Sequence, residues 1–247
     1  MKIPWRKIHR WLGLLVGFQV VAWMLSGLYF AWVPIEEIRG EHLTRPAVAV
    51  TSDDLSSVRE PAVLVQAAGP HIGDAEISKL ELRKLRGSVV YRLEYDDSTG
   101  PQSRLFAADT GLLLPMLEPG EAALIAQNAT REAIDILAVE LVTEHSDGSE
   151  YRGRSLPLFR VTSDSDHGLR LYIDAWTGEV MARRTAQWRL FDLLWALHIM
   201  DYQERDDFNH PLLIVFAAAA LVLSVGGYIL WWISSVFMQR RRRRTIT

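Results

Sequence analysis

Two long runs without a charged side chain bracket the chain. Trp11 to Val33 covers 23 residues and Pro211 to Phe237 covers 27, and a helix needs about 20 apolar residues to cross the hydrocarbon of a bilayer. The runs therefore predict transmembrane helices over 11–33 and 211–237. Between them the period changes. Val63-Leu-Val-Gln-Ala-Ala68 is helix-compatible; Leu80 and Leu82, then Tyr91, Leu93 and Tyr95, alternate as half-buried strands do, and Arg104-Leu-Phe106 leads into Thr110-Gly111. A second helix-compatible segment, Leu124-Ile-Ala-Gln-Asn-Ala129, is followed by alternating Leu169, Leu171 and Ile173, and Arg170-Leu-Tyr172 leads into Thr177-Gly178. A helix followed by a small antiparallel sheet is thus expected twice, over 34–118 and 119–185. The polar stretch His145 to Arg154 predicts an exposed loop.

Trp188 to Met200 is apolar but carries Arg189 and Asp192, too short and too charged to cross. With the acidic bend Asp201 to His210 it predicts an interfacial amphipathic segment over 186–210, lying against the membrane surface. Pro211 then opens the second span at a favoured first helical position. The fold class is an α+β membrane protein: two transmembrane helices flanking an outer domain of two helix-and-sheet repeats.

Charge orients this arrangement. Lys2, Arg6, Lys7 and Arg10 precede the first run, Glu36 and Glu37 follow it, and Arg240 to Arg244 follow the second. The positive-inside rule places both termini, residues 1–10 and the Arg-rich tail 238–247, in the cytoplasm. In a two-membraned host the segment 34–210 then faces the periplasm, and the chain is an inner-membrane protein in contact with lipid. That segment holds all 30 acidic residues against 18 Lys and Arg, a net −12, which excludes nucleic acid as the expected partner. The first run exceeds the roughly 7–15 residues of a signal-peptide core and has no convincing A-x-A site, so it reads as an uncleaved anchor. Trp5, Trp11, Trp32, Trp231 and Trp232 sit near the ends of the runs, as an aromatic belt requires. The arginine tail reads as a topology determinant rather than a specific lipid site.

Small residues mark helix faces suited to close packing. Gly13 and Gly17 are four apart, Gly27 and Ala31 repeat the spacing, and Ala220, Ser224 and Gly227 share one face of the second helix. The partner of these faces stays open between the other span, a second copy in a homo-oligomer, and another inner-membrane subunit; pairing within the chain is the simplest expectation.

The chain has no cysteine, which excludes disulfides, thiolate zinc sites, iron–sulfur clusters and CxxCH haem attachment. GxSxG, HExxH and phosphate-binding glycine loops are absent from the sequence. Among seven histidines, His42, His71, His145 and His167 show no ligand spacing and read as surface or half-buried side chains. His9 falls at the cytoplasmic mouth of the first span, and His198 and His210 near the outer mouth. Asp206-Asp207 with His210 reads as a solvated acidic loop rather than a cation site.

Leu171-Tyr-Ile-Asp-Ala-Trp-Thr-Gly-Glu-Val180 resembles the closing hairpin of a PepSY domain, of which the first copy keeps only Asp109-Thr110-Gly111. Ile8-His-Arg-Trp-Leu-Gly13 resembles the opening of PepSY-associated transmembrane proteins, and Leu197-His198 resembles the Leu-His element before a later helix there. In this reading Asp174, Thr177 and Gly178 are turn-forming residues rather than a ligand site.

The resemblance implies that some relatives are inner-membrane reductases holding b-type haem between histidines. Those have about four spans and several intramembrane histidines, whereas this chain has two spans and none within either apolar run. Bis-histidine ligation needs two imidazoles at one depth, and a 23-residue helix at about 1.5 Å per residue separates His9 from His198 or His210 by roughly 30 Å. The leading expectation is a non-catalytic accessory or regulatory subunit of a respiratory or metal-uptake assembly, with no cofactor. The alternative is a haem-b electron-transfer subunit, with His198, His210 and His9 as ligands. A third reading is a periplasmic protease inhibitor or escort.

Overall fold

The computed structural model describes residues 5–73, 75–98 and 100–244. In chain order the helices are α1 (Trp5–Trp32), α2 (Ile35–Ile38), α3 (Pro61–Ile72), α4 (Pro119–Ala129), α5 (Ala186–Ile199) and α6 (Pro211–Arg244). The strands are β1 (Glu76–Leu85), β2 (Ser88–Asp97), β3 (Gly100–Ala107), β4 (Asp135–Val142), β5 (Leu158–Asp164), β6 (Arg170–Asp174) and β7 (Val180–Arg184). The chain divides into two compact units, Ile35–Arg189 and the combination of Met1–Pro34 with Leu190–Thr247.

In the unit Ile35–Arg189 each expected helix is followed by an antiparallel sheet, of strand order β1-β2-β3 after α3 and β4-β5-β6-β7 after α4. Proline opens both helices, where its missing N–H costs nothing. Arg86 and Gly87 join β1 to β2 with φ of 54° and 78°, the two positive values that a two-residue hairpin of matching twist requires. Leu64 and Ala68, one turn apart on α3, pack with Tyr91, Leu93, Tyr95 and Phe106. Ala122 and Ala126 of α4 pack with Phe159, Val161, Leu171 and Ile173. Alanine at both α4 contact points leaves room for the bulky strand residues beneath.

Two strands carried no sequence expectation, for identifiable reasons. A register shift between Ile136 and Ala138 breaks the alternation of β4. In β5, Leu158 packs on one face of the sheet while Phe159 and Val161 pack on the other. A strand buried on both faces reads as a short apolar run instead of alternating.

The expected exposed loop His145 to Arg154 is only partly so. Tyr151 is buried against Tyr172 at 5.8 Å between ring centres. Glu150 accepts hydrogen bonds from Tyr172 Oη at 2.8 Å, Arg189 Nε at 2.6 Å and Arg170 Nη1 at 3.2 Å. Burial by itself raises the Glu150 carboxyl, but the bonds from Arg189 and Tyr172 and the charges of Arg189 and Arg170 outweigh it and hold it below its ordinary range.

The turn after β6 behaves as its residues require. Asp174 Oδ1 accepts from the N–H of Trp176 and Thr177 and from Thr177 Oγ1, at 2.7–2.9 Å, and Gly178 takes φ 72°. This turn also joins the two sheets. Glu179 accepts from Arg92 Nη1 at 2.6 Å and Arg83 Nη2 at 3.4 Å, and the Arg104 guanidinium lies 4.0 Å from the Trp176 ring centre. Arg86 bonds Glu121 at 3.0 Å and the Pro115 carbonyl at 2.9 Å.

The other unit holds α1, α6, most of α5 and the bend after it. Arg10–Trp32 and Pro211–Ile233 are long and apolar enough to cross a membrane, in agreement with the two predicted spans.

Candidate functional site

Four residues on α1, Gln19, Trp23, Ser26 and Phe30, recur at spacings of four, three and four and so share one helix face. They meet the last turns of α5. A helix leaves its final carbonyls without internal partners; here Gln19 Nε2 donates to Leu197 O at 3.1 Å and Trp23 Nε1 to His198 O at 2.7 Å. Met200, at φ 58°, then ends α5 in the left-handed region. Gln19 is 13 residues before Trp32 and Trp23 is nine. At about 1.5 Å per residue the end of α5 therefore lies roughly 14–20 Å along α1 from Trp32, beside the interior of the apolar run.

His198 is the one histidine of this unit with a defined polar partner among the described residues. Its Nδ1 is 2.7 Å from Ser26 Oγ, and Ser26 Oγ also donates to Ala22 O at 2.8 Å. A hydroxyl has one proton. With that proton directed to Ala22 O, Nδ1–H donates to Oγ and the imidazole lone pair sits on Nε2, to which no hydrogen bond runs among the described residues. Phe30 and Trp23 flank the ring at 5.6 and 6.5 Å between centres, and Phe30 also touches Phe191 at 4.9 Å and Trp195 at 5.9 Å.

The acidic bend folds back on α5 and bonds much of its own backbone through Asp201. Asp192, 4% exposed, pairs with Arg205, whose carbonyl accepts from Trp195 Nε1 at 3.1 Å. Asp201 accepts from the backbone N–H of Gln203, Glu204, Asp206 and Asp207 at 3.1–3.2 Å.

The other residues singled out by sequence are not gathered here. His210 has a buried Nδ1 without a hydrogen-bond partner, and no ring contact or hydrogen bond joins it to His198 among the described residues. The His9 side chain lies outside the described residues, as do those of the arginine tail. A Cβ on Gly13, Gly17, Gly27 or Gly227 would meet no heavy atom within 4 Å among the described residues, and Ser224 is exposed while Ala220 is half-buried. α1 and α6 lie against one another within the chain, and the α1 face that meets α5 is the polar and aromatic one. Gln19 and Ser26 were legible as a signal, being polar side chains in an otherwise apolar run, the kind that hydrogen-bonds across helices.

Among the described residues no second imidazole faces His198. A search of curated proteins and a search of solved structures each return no match. A family model does match, and it covers nearly the whole chain. With two helices able to span a bilayer and antiparallel sheets between them in sequence, matched over residues 6–247, this membrane protein belongs to the family described as the PepSY-associated TM region.

Proposed function

We propose that the chain is an accessory or regulatory subunit of a larger inner-membrane assembly, respiratory or metal-uptake in kind. It is anchored by α1 and α6 with both termini cytoplasmic, and presents Ile35–Arg189 to the periplasm as a tandem PepSY-like domain. The observation that carries this reading is the unequal use of helix faces. The polar stripe of α1 is engaged by α5, whereas a Cβ on Gly13, Gly17, Gly27 or Gly227 would meet no heavy atom within 4 Å among the described residues. The most apolar stretch of Pro211–Ile233 has no residue buried among those described. Small residues with open space beside them let a foreign helix backbone approach closely.

The test is purification in mild detergent after cross-linking in cells, with an inventory of co-purifying chains. Defined partner bands that are lost in Gly13→Ile/Gly17→Ile or Gly227→Ile, with insertion unchanged, support the reading. A preparation with no partner, or bands indifferent to these variants, overturns it. Protease added from outside should leave both termini intact.

One observation favours a second reading, a haem-b electron-transfer subunit. His198 has Nδ1 held by Ser26 and its lone pair on Nε2, the orientation in which a second hydrogen bond fixes a metal-ligating imidazole. The opposite ligand would come from a second copy or another subunit. Oxidised and dithionite-reduced spectra decide: a b-type spectrum abolished by His198→Ala replaces the first reading, and a colourless preparation with partner bands retires the second.

A further inference from the structure

The four histidines of Ile35–Arg189 show no ligand spacing in sequence, yet two of them meet in the fold. His42 sits in the short turn Glu41–Leu43, and His167 in the loop between β5 and β6. Their rings are 6.3 Å apart between centres and nearly perpendicular, at 88°. Both line one open cleft of about 590 Å³, together with Glu132, Asp164 and Asp166. Two imidazoles bonded to one ion at about 2.0–2.1 Å have ring centres about 5 Å apart at a tetrahedral angle and about 6.5 Å apart at a linear one. The observed spacing falls inside that range.

The backbones that carry the two rings are tied down. Arg45 N donates to Ala129 O at 2.8 Å, Arg131 N to Leu43 O at 3.0 Å and Arg131 Nε to Thr44 O at 3.1 Å, which fixes the His42 side. On the other side Gly168 N donates to Ser165 O at 2.8 Å, Leu169 N to Ser165 Oγ at 3.0 Å, and Ala186 N to His167 O at 2.9 Å. The carboxylates give the cleft a negative charge suited to a cation. The bond from Arg131 Nε to Thr44 O turns that guanidinium toward backbone.

We propose that His42 and His167 bind a divalent transition-metal ion, Cu²⁺ ahead of Ni²⁺ and Zn²⁺, as an open two-imidazole site completed by water. Among the described residues no group of three or more ligand-type side chains is assembled, so the site is an exchangeable one rather than a closed structural cage. Imidazole selects ions of this kind over Mg²⁺ and Ca²⁺, and Cu²⁺ stands highest in the affinity order.

The experiment uses the full-length untagged protein in mild detergent, stripped with chelator, then titrated with Cu²⁺ and followed by electron paramagnetic resonance and competition with a chromophoric chelator. The expected result is one ion per chain with two equatorial nitrogens. His42→Ala and His167→Ala should each weaken binding at least about tenfold, and the double variant should abolish it. His71→Ala and His145→Ala should leave it unchanged. Both ligand histidines are exposed, so the variants fold, and circular dichroism verifies it. Stoichiometric copper retained by the double variant, or no copper bound by the parent, overturns the proposal. Neither outcome bears on partner co-purification or on the haem spectrum.

Discussion

The two units of this chain place their side chains in opposite ways. In Ile35–Arg189 the large apolar groups are inside: Phe106, Phe159, Leu93 and Tyr172 are at most 1% exposed. In the unit of Met1–Pro34 and Leu190–Thr247 many large apolar groups are outside, with Phe18 at 71% and Val222 at 70%, and several polar ones are inside, with Ser26 at 0% and Asp192 at 4%. Water drives the first arrangement, since each buried apolar side chain gains about 1.5–3 kcal/mol. Lipid offers helices no such gain, and association there rests on packing and on hydrogen bonds that cannot be made elsewhere. The same fact, an exposed phenylalanine, is therefore unremarkable in one unit and would be a defect in the other.

The largest expected contrast is between two phenylalanines. Phe159→Ala should destabilise Ile35–Arg189 by about 3–5 kcal/mol through a cavity between α4 and the sheet. Phe18→Ala should change stability by less than about 0.5 kcal/mol. Denaturant unfolding of the full chain in detergent, followed by tryptophan fluorescence, checks both, and equal effects would break the comparison.

Next in size is Glu150→Gln, which leaves Arg189 and Arg170 without their anion and should cost about 1.5–3 kcal/mol in the same assay. The fold depresses the Glu150 carboxyl below its ordinary value of 4.5. Its contribution is therefore fully present above pH 4.5 and is lost as pH falls through the depressed value. The Gln variant should lose that segment of acid dependence.

Gly178→Ala should cost about 1–3 kcal/mol. Its φ is positive, and a Cβ there would lie 2.9 Å from Arg86 Cγ and 3.0 Å from Ile125 Cδ1. The substitution should loosen the join between the two sheets, seen as earlier proteolysis at that turn. The smallest effect sharpens the comparison from the lipid side: Ser26→Ala should cost about 0.6 kcal/mol, the typical value of an interhelical hydrogen bond in a bilayer. Faster hydrogen exchange confined to residues 197–200 would register it. A loss of several kcal/mol would mean that α5 is held chiefly by this one bond.

Much of this architecture was legible because its causes are local. Uncharged runs of sufficient length marked α1 and α6. Alternation marked β1, β2 and β6, and Asp174, Thr177 and Gly178 announced a turn whose bonds span two or three residues. Strands β4 and β5 escaped because a bulge and two-faced burial erased their period. The sites were legible only in part. His198 drew attention through its neighbour Leu197, but its partner Ser26 lies 172 residues away. Nothing in the spacing of His42 and His167 announced a pair.

What the sequence by itself determined is therefore the inventory: which segments suit lipid, which suit a half-buried sheet, where the chain turns, and which chemistries the absence of cysteine forbids. These follow from periodicity and from side chains bonding backbone a few residues off. Tertiary structure alone decided which face of α1 is engaged, that Glu150 is an anchor instead of a loop residue, and that two unremarkable histidines share a cleft. Such juxtapositions depend on how separately formed elements pack. One helix face or one strand register brings together residues more than a hundred positions apart, and no local rule contains that choice.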